Sequence, residues 1–179
     1  MKRNLLTMLF AGIFCAGCTN STTEGIPAVE NFQVERYAGK WYEIARMPNW
    51  FEKGMSNITA VYTVNPDGTL KVVNTGIKNG KSRSITGKAW FASRRDIGDL
   101  LVRFPYSFAS PYRIIWLDND YKMAVVTGSS YASLWILARK PAISSDELNK
   151  LLQWISALGY ETGNLIFTVQ QWQTKPANI

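Results

Sequence analysis

From Tyr37 to Arg139 the chain is cut into short runs that alternate apolar and polar residues, each bounded by a turn signal. The runs are "GKWYEIAR", "ITAVYTV", "LKVVNTG", "ITGKAWFA", "LLVRF", "YRIIWL", "KMAVVTG" and "SLWILAR". Between them, "Asn65-Pro66-Asp67-Gly68" and "Lys78-Asn79-Gly80-Lys81" read as hairpin turns, because Asp-Gly and Asn-Gly tolerate positive φ. "Asp118-Asn119-Asp120" and "Gly128-Ser129-Ser130" mark two more turns. No helical pattern interrupts the series, so βαβ units and a parallel sheet are excluded. Eight strands in simple succession predict an all-β fold, an antiparallel up-and-down barrel whose closure removes both sheet edges.

One segment departs from this rhythm. "Ser144-Ser145-Asp146-Glu147" is a capping box, and Leu148, Leu151, Leu152, Ile155 and Leu158 follow at helical spacing up to Gly159. A helix with one apolar face should pack on the outside of the barrel. Ile166 to Gln170 alternate again and predict a short last strand near it. There is no internal repeat and no sign of a second domain.

The N-terminus places this domain in a compartment. Lys2 and Arg3 precede an apolar run from Leu5 to Phe14, which is shorter than the roughly 20 residues that span a bilayer, so residues 1–17 read as a signal peptide. "Ala16-Gly17-Cys18" resembles a bacterial lipobox, which would make Cys18 the acylated first residue of the mature chain. Thr19 rather than Asp at the next position favours the outer membrane under the lipoprotein sorting rule. An ordinary cleaved signal is the alternative. Residues 18–31 are polar and read as a lipidated tether, leaving 32–179 as the domain.

The chain contains no histidine, which removes Ser-His-Asp and Cys-His catalysis and His-ligated metal centres. "Gly80-Lys81-Ser82" lacks the glycine a P-loop needs five residues earlier, where Thr75 stands. No enzyme, cofactor or metal is therefore expected; an acidic or Ser-Lys cluster inside the barrel would reopen the question. The formal charge of +7 includes Lys2 and Arg3, and the remaining basic residues are scattered, which argues against nucleic acid and suits an anionic membrane surface.

Alternation along each strand separates its two faces. With Lys88 and Arg103 facing outward, Ala89, Phe91, Leu100, Val102 and Phe104 face the interior. The same phase puts Ala60, Tyr62, Tyr112, Ile114, Trp135 and Leu137 inside. Small residues among aromatics leave room for an apolar ligand; a fully packed barrel is the alternative. Burying about ten methylenes of an acyl chain would gain ~8 kcal/mol before association costs. Arg46, Lys53, Arg83 and Arg113 are the cations available to a headgroup. Trp50, Phe51, Tyr106 and Phe108 lie in loops and could rim a mouth, touch membrane or join a homodimer.

"Gly39-Lys40-Trp41" at the head of the first of eight strands, the Asp118 turn between the sixth and seventh, and Arg139 after the eighth together resemble the signature of the lipocalin family. "YAGKWYEIARMPNWFEKG", "LDNDYKMAVV" and "YASLWILARKP" look most like the bacterial outer-membrane lipocalins. The resemblance implies that Trp41 packs across the closed end of the barrel with Arg139 over it, and that Gly39 lets the chain enter without a clash. These three residues would be structural. It further implies a periplasm-facing lipoprotein that binds fatty acid, phospholipid or lysophospholipid for storage or transport in envelope maintenance or stress. A structural or interaction lipoprotein with a filled barrel is the second reading.

Overall fold

The structure is a computed structural model that describes residues 22–171; the signal peptide, Cys18 and the first tether residues lie outside the described residues. Eight strands form the barrel: β1 (Gly39–Arg46), β2 (Met55–Val64), β3 (Leu70–Lys78), β4 (Lys81–Phe91), β5 (Asp99–Arg103), β6 (Ser110–Leu117), β7 (Met123–Thr127) and β8 (Leu134–Ala138). Each pairs antiparallel with its neighbour in sequence, and β1 pairs with both β2 and β8, which closes the sheet. The β3–β4 connection has Asn79 at φ 51° and Gly80 at φ 71°, the two positive values its tight turn requires.

Closure at the β1–β2 seam is only partial. The two strands pair from Gly39 to Tyr42, after which β1 pairs on this side with a ninth strand, β9 (Ile166–Phe167), at Ala45 and Arg46. Gln170 continues the repair by donating from Nε2 to the carbonyls of Glu43 (2.8 Å) and Ile58 (2.9 Å), one on each strand. The tail after the helix thus satisfies backbone groups that the diverging strands leave free.

A short helix, α1 (Val34–Tyr37), precedes β1, and the long helix α2 (Ser145–Ala157) follows β8. The Ser144 hydroxyl accepts from the Glu147 N–H while the Glu147 carboxylate accepts from the Ser144 N–H, so both halves of the capping box are formed. Leu151 and Ile155 of α2 are buried against the outer wall among Ile44, Val125, Leu134 and Ile136. The inner wall has a separate core that includes Trp41, Leu70, Val72, Ala89, Leu100, Ile114 and Val126.

Residues 22–31, expected as a free tether, are docked from Thr22 onward. Thr23 is buried and its hydroxyl donates to the Gly128 carbonyl at 2.6 Å. Arg113 donates to the carbonyls of Thr23 (2.9 Å) and Ile26 (3.4 Å). Because β5 begins only at Asp99, the Ile114 carbonyl lacks a strand partner and takes the Val29 N–H at 2.9 Å. Polarity suggested a tether, but backbone groups and one buried arginine hold this segment as a strap.

The strap ends in a plug. Phe32 enters the barrel end beside Tyr37, Phe91 and Tyr121, with ring centroids 5.3 to 6.3 Å away. Trp41 is fully buried, and its indole N–H donates to the Tyr37 carbonyl at 2.8 Å. The Arg139 guanidinium lies 3.9 Å from the Trp41 ring centroid. It also donates to the carbonyls of Tyr121, Lys40, Arg36, Tyr37 and Ala38 at 2.8 to 3.1 Å. Gly39 sits at φ 96°, where a Cβ would lie 3.3 Å from Arg139 Nη1. Arg139→Lys keeps the charge but cannot cover five carbonyls or stack as a plane. It should destabilise the fold by about 2–4 kcal/mol in urea unfolding followed by circular dichroism. A loss under about 0.5 kcal/mol would remove this role from Arg139.

Candidate functional site

The plug fixes which end of the barrel is closed. β1 runs from that end to the other, where Arg46, the β1–β2 loop (47–54) and the loops 79–80, 104–109 and 128–133 meet. Cross-strand partners share a face, so the pairs Trp41–Ala60, Ala60–Asn74, Ala89–Val102, Leu100–Tyr112, Ile114–Val126 and Val126–Trp135 trace the inner wall. The structure gathers Ala60, Tyr62, Ala89, Phe91, Leu100, Val102, Phe104, Tyr112, Ile114, Trp135 and Leu137 in or against this single inner cluster.

Access to solvent differs along the wall. Tyr62, Ala89, Leu100, Ile114 and Leu137 are buried, whereas Ala60, Phe91, Val102, Phe104, Tyr112 and Trp135 are half-buried. Most of the second group belongs to the half of the wall nearer the open end, so that half is the more accessible to solvent while the closed half is packed. A shallow depression of about 550 Å³ lies at the rim, bounded by outward-facing Lys88 and Arg103 together with Gly87, Phe104 and Tyr106.

Two polar groups inside the wall escape sequence reading. Tyr112 exchanges hydrogen bonds with Tyr37 (2.6 Å) and Tyr62 (2.7 Å), joining three hydroxyls from α1, β2 and β6. Burial raises all three phenols above their ordinary range, so they act as neutral hydrogen-bonding groups. Their rings continue the stack begun at Trp41, with centroids 4.8, 5.4 and 5.9 Å apart.

The second group is ionic. Arg46, expected among the cations a headgroup could use, is 1% exposed, and Nη1 donates to Glu43 Oε1 at 2.9 Å. Its Nε stands 3.4 Å from Glu52 Oε2, and Nη2 donates to the Glu52 carbonyl at 3.0 Å. Glu52 lies in the β1–β2 loop and also accepts from the Trp135 indole at 3.2 Å and from the Asn49 amide. A bulge between Glu43 and Ala45 shifts the phase of β1 by one residue and brings Glu43 and Arg46 to the same face. Arg113 is likewise unavailable: it pairs with Asp99 at 3.5 Å and holds the strap. Lys53 and Arg83 are exposed, and Arg83 is in phase with inward Ala89 near the open end.

The residues 32–170 match the family model of the lipocalin-like domain. The chain belongs to the lipocalin family. It is 35% identical over 163 residues to the outer membrane lipoprotein Blc of Citrobacter freundii, an alignment covering 89% of this chain and 92% of that protein. Temperature-induced lipocalin-1 of Arabidopsis thaliana is 36% identical over 151 residues, covering 79% and 81% of the two chains. Among solved structures, insecticyanin of Manduca sexta superposes with a TM-score of 0.67 at 18% identity, over 80% of this chain and 83% of that one. This likeness shows the lipocalin barrel and nothing finer.

In this lipocalin, burial and the charge of Glu52 push the Glu43 carboxyl up to about 7, against the pull of Thr168 and Arg46. The folded state therefore holds this proton more tightly than the unfolded chain, and stability falls as pH rises from about 4.5 to about 7. Glu43→Gln removes that slope and leaves Arg46 balanced by Glu52 alone. The variant should match the parent near pH 4 and exceed it by about 1–2 kcal/mol at pH 8, measured by urea unfolding across pH. An unchanged slope would show that Glu43 is already ionised below pH 5.

Proposed function

We propose that this lipocalin is an outer-membrane lipoprotein, acylated at Cys18, that binds a lipid or other small hydrophobic molecule in the open half of its barrel. The observation that carries the reading is the solvent-accessible apolar wall formed by Ala60, Phe104, Tyr112 and Trp135 above a filled, plugged base. Similarity to outer membrane lipoproteins of Citrobacter freundii and Vibrio cholerae supports the location. Fatty acid, phospholipid or lysophospholipid is the ligand class, held for storage or transport in envelope maintenance or stress. The protein acts by sequestration rather than catalysis. The acidic pair Glu43 and Glu52 does not revive an enzyme reading, because both carboxylates are engaged with Arg46 and Glu43 is 2% exposed.

The mature chain carrying Cys18→Ser, purified from its host envelope, should show one lipid per barrel by native mass spectrometry. Lysophospholipid should displace it and change Trp135 fluorescence, with Trp135→Phe as the control. Ala60→Trp adds bulk on the inner wall and should weaken uptake at least tenfold while the far-ultraviolet circular dichroism stays unchanged. A lipid-free mass with no uptake at micromolar lipid would favour the filled-barrel reading instead.

A further inference from the structure

Among the described residues, the large aromatic side chains left exposed in loops lie at the open end. Trp50 (85%) and Phe51 (48%) project from the β1–β2 loop, and Tyr106 (109%) and Phe108 (94%) from the β5–β6 loop. In the barrel order these loops lie on opposite sides of the mouth. The β3–β4 hairpin between them carries exposed Lys81 and Arg83, and Lys53 is exposed beside Phe51.

Charge is distributed along the same axis. The four loops of the open end contain a single carboxylate, Glu52, which is buried against Arg46. The loops of the closed end carry four, Asp67, Asp96, Asp118 and Asp120, alongside the bases Arg94, Arg95 and Lys122. Exposed Glu24 and Glu161 also lie toward this end, but the two aromatic loops themselves carry no exposed acid and stand beside lysine and arginine, which matches the chemistry of an anionic membrane interface.

The path of the strap supplies an independent constraint. Thr22 pairs with Ser130 and the Thr23 N–H donates to the Ser129 carbonyl, so the described chain begins at the β7–β8 loop of the open end. The four residues from Cys18 to Thr22 reach at most about 14 Å. A ten-residue strand such as β2, tilted as barrel strands are, spans roughly 23 Å along the barrel axis, so a tether of about 14 Å cannot carry the closed end to the lipid surface.

We propose that the open end of the barrel is a membrane-docking surface, in which Trp50 and Phe51 on one side and Tyr106 and Phe108 on the other enter an anionic phospholipid bilayer and turn the mouth toward it. The anchoring part of the argument rests on the proposed acylation of Cys18; the loop chemistry does not. Docking in this orientation lets a lipid pass between bilayer and barrel without crossing bulk water.

The test uses the mature chain with Cys18→Ser, so that no acyl group contributes. Vesicles of phosphatidylethanolamine and phosphatidylglycerol should sediment the protein, vesicles of phosphatidylcholine alone should sediment it much less, and raised salt should weaken binding. Brominated acyl chains should quench tryptophan fluorescence, and Trp50→Phe should remove most of that quenching. The double variant Trp50→Ser with Phe108→Ser should bind anionic vesicles at least tenfold more weakly, with an unchanged urea midpoint and unchanged lysophospholipid uptake from solution. Absence of vesicle binding, or binding that the double variant leaves intact, overturns the docking proposal. So does a parent dimer that the double variant converts to monomer without any vesicle binding, which would assign the patch to a second copy. Uptake that persists while docking fails leaves the carrier function standing; docking without uptake removes that function and keeps the surface.

Discussion

The contact between Arg139 and Trp41 sets the polarity of the whole molecule. A barrel of eight strands has two ends, and nothing in strand pairing distinguishes them. Here one guanidinium lies 3.9 Å from the centroid of the buried indole and gathers carbonyls from α1, the start of β1 and the β6–β7 turn. Those carbonyls would otherwise be unpaired where the chain crosses the barrel end, and charge-assisted bonds to them are stronger than neutral ones. Once this end is sealed by the pair, with Phe32 and Tyr37 packed beside it, the described residues leave the other end as the route to the interior. The half-buried upper wall, the loop bearing Glu52 and the exposed aromatics all lie there.

The same asymmetry explains why the seam between β1 and β2 can be incomplete. Near the plug the two strands pair fully; toward the mouth β1 bulges and leans away. A bulge strengthens local twist and re-aims side chains, and here it turns Arg46 inward. The tail then fills the opening, through β9 on the outer edge of β1 and through Gln170 between the two strands. Thr168 donates to the Glu43 carboxylate, so the tail also enters the ionic group that it covers. Backbone repair and side-chain burial at the mouth are one arrangement.

What the sequence made legible was local chemistry. The Asn79-Gly80 turn, the capping box at Ser144 and the two-residue alternation each encode structure within a few residues, and each appears where the pattern put it. The inward set from Ala60 to Trp135 follows from alternation alone, since register fixes faces once one outward lysine is placed. The failures arose where distant segments decide. Arg46 read as a cation available to a headgroup because a regular strand puts residues three apart on opposite faces, and only the bulge brings Glu43 to it. Its second partner, Glu52, comes from a loop whose path no periodicity records. Residues 22–31 looked like a tether because their contacts are to backbone carbonyls and to Arg113, not to an apolar stripe that hydropathy could reveal. The tyrosine chain was hidden for a related reason, since its hydroxyls meet only when α1, β2 and β6 are assembled.

These placements change what the interior asks of a ligand. With Arg46 shared by two carboxylates, the buried ionic group of the upper wall offers no free cation among the described residues, and once Glu43 ionises it carries a net negative charge. A fatty-acid carboxylate pushed deep toward Arg46 would have to displace Glu52 and leave that acid without its partner, which is costly in a buried site. Under the proposed function, an acyl chain entering tail first would meet Phe104, Val102 and Leu100 instead, and would leave its polar end at the rim near Lys53 and Arg83. Such a barrel would read the tail by apolar burial and the head only at the surface, where, in the proposed docking, the same basic side chains face the bilayer.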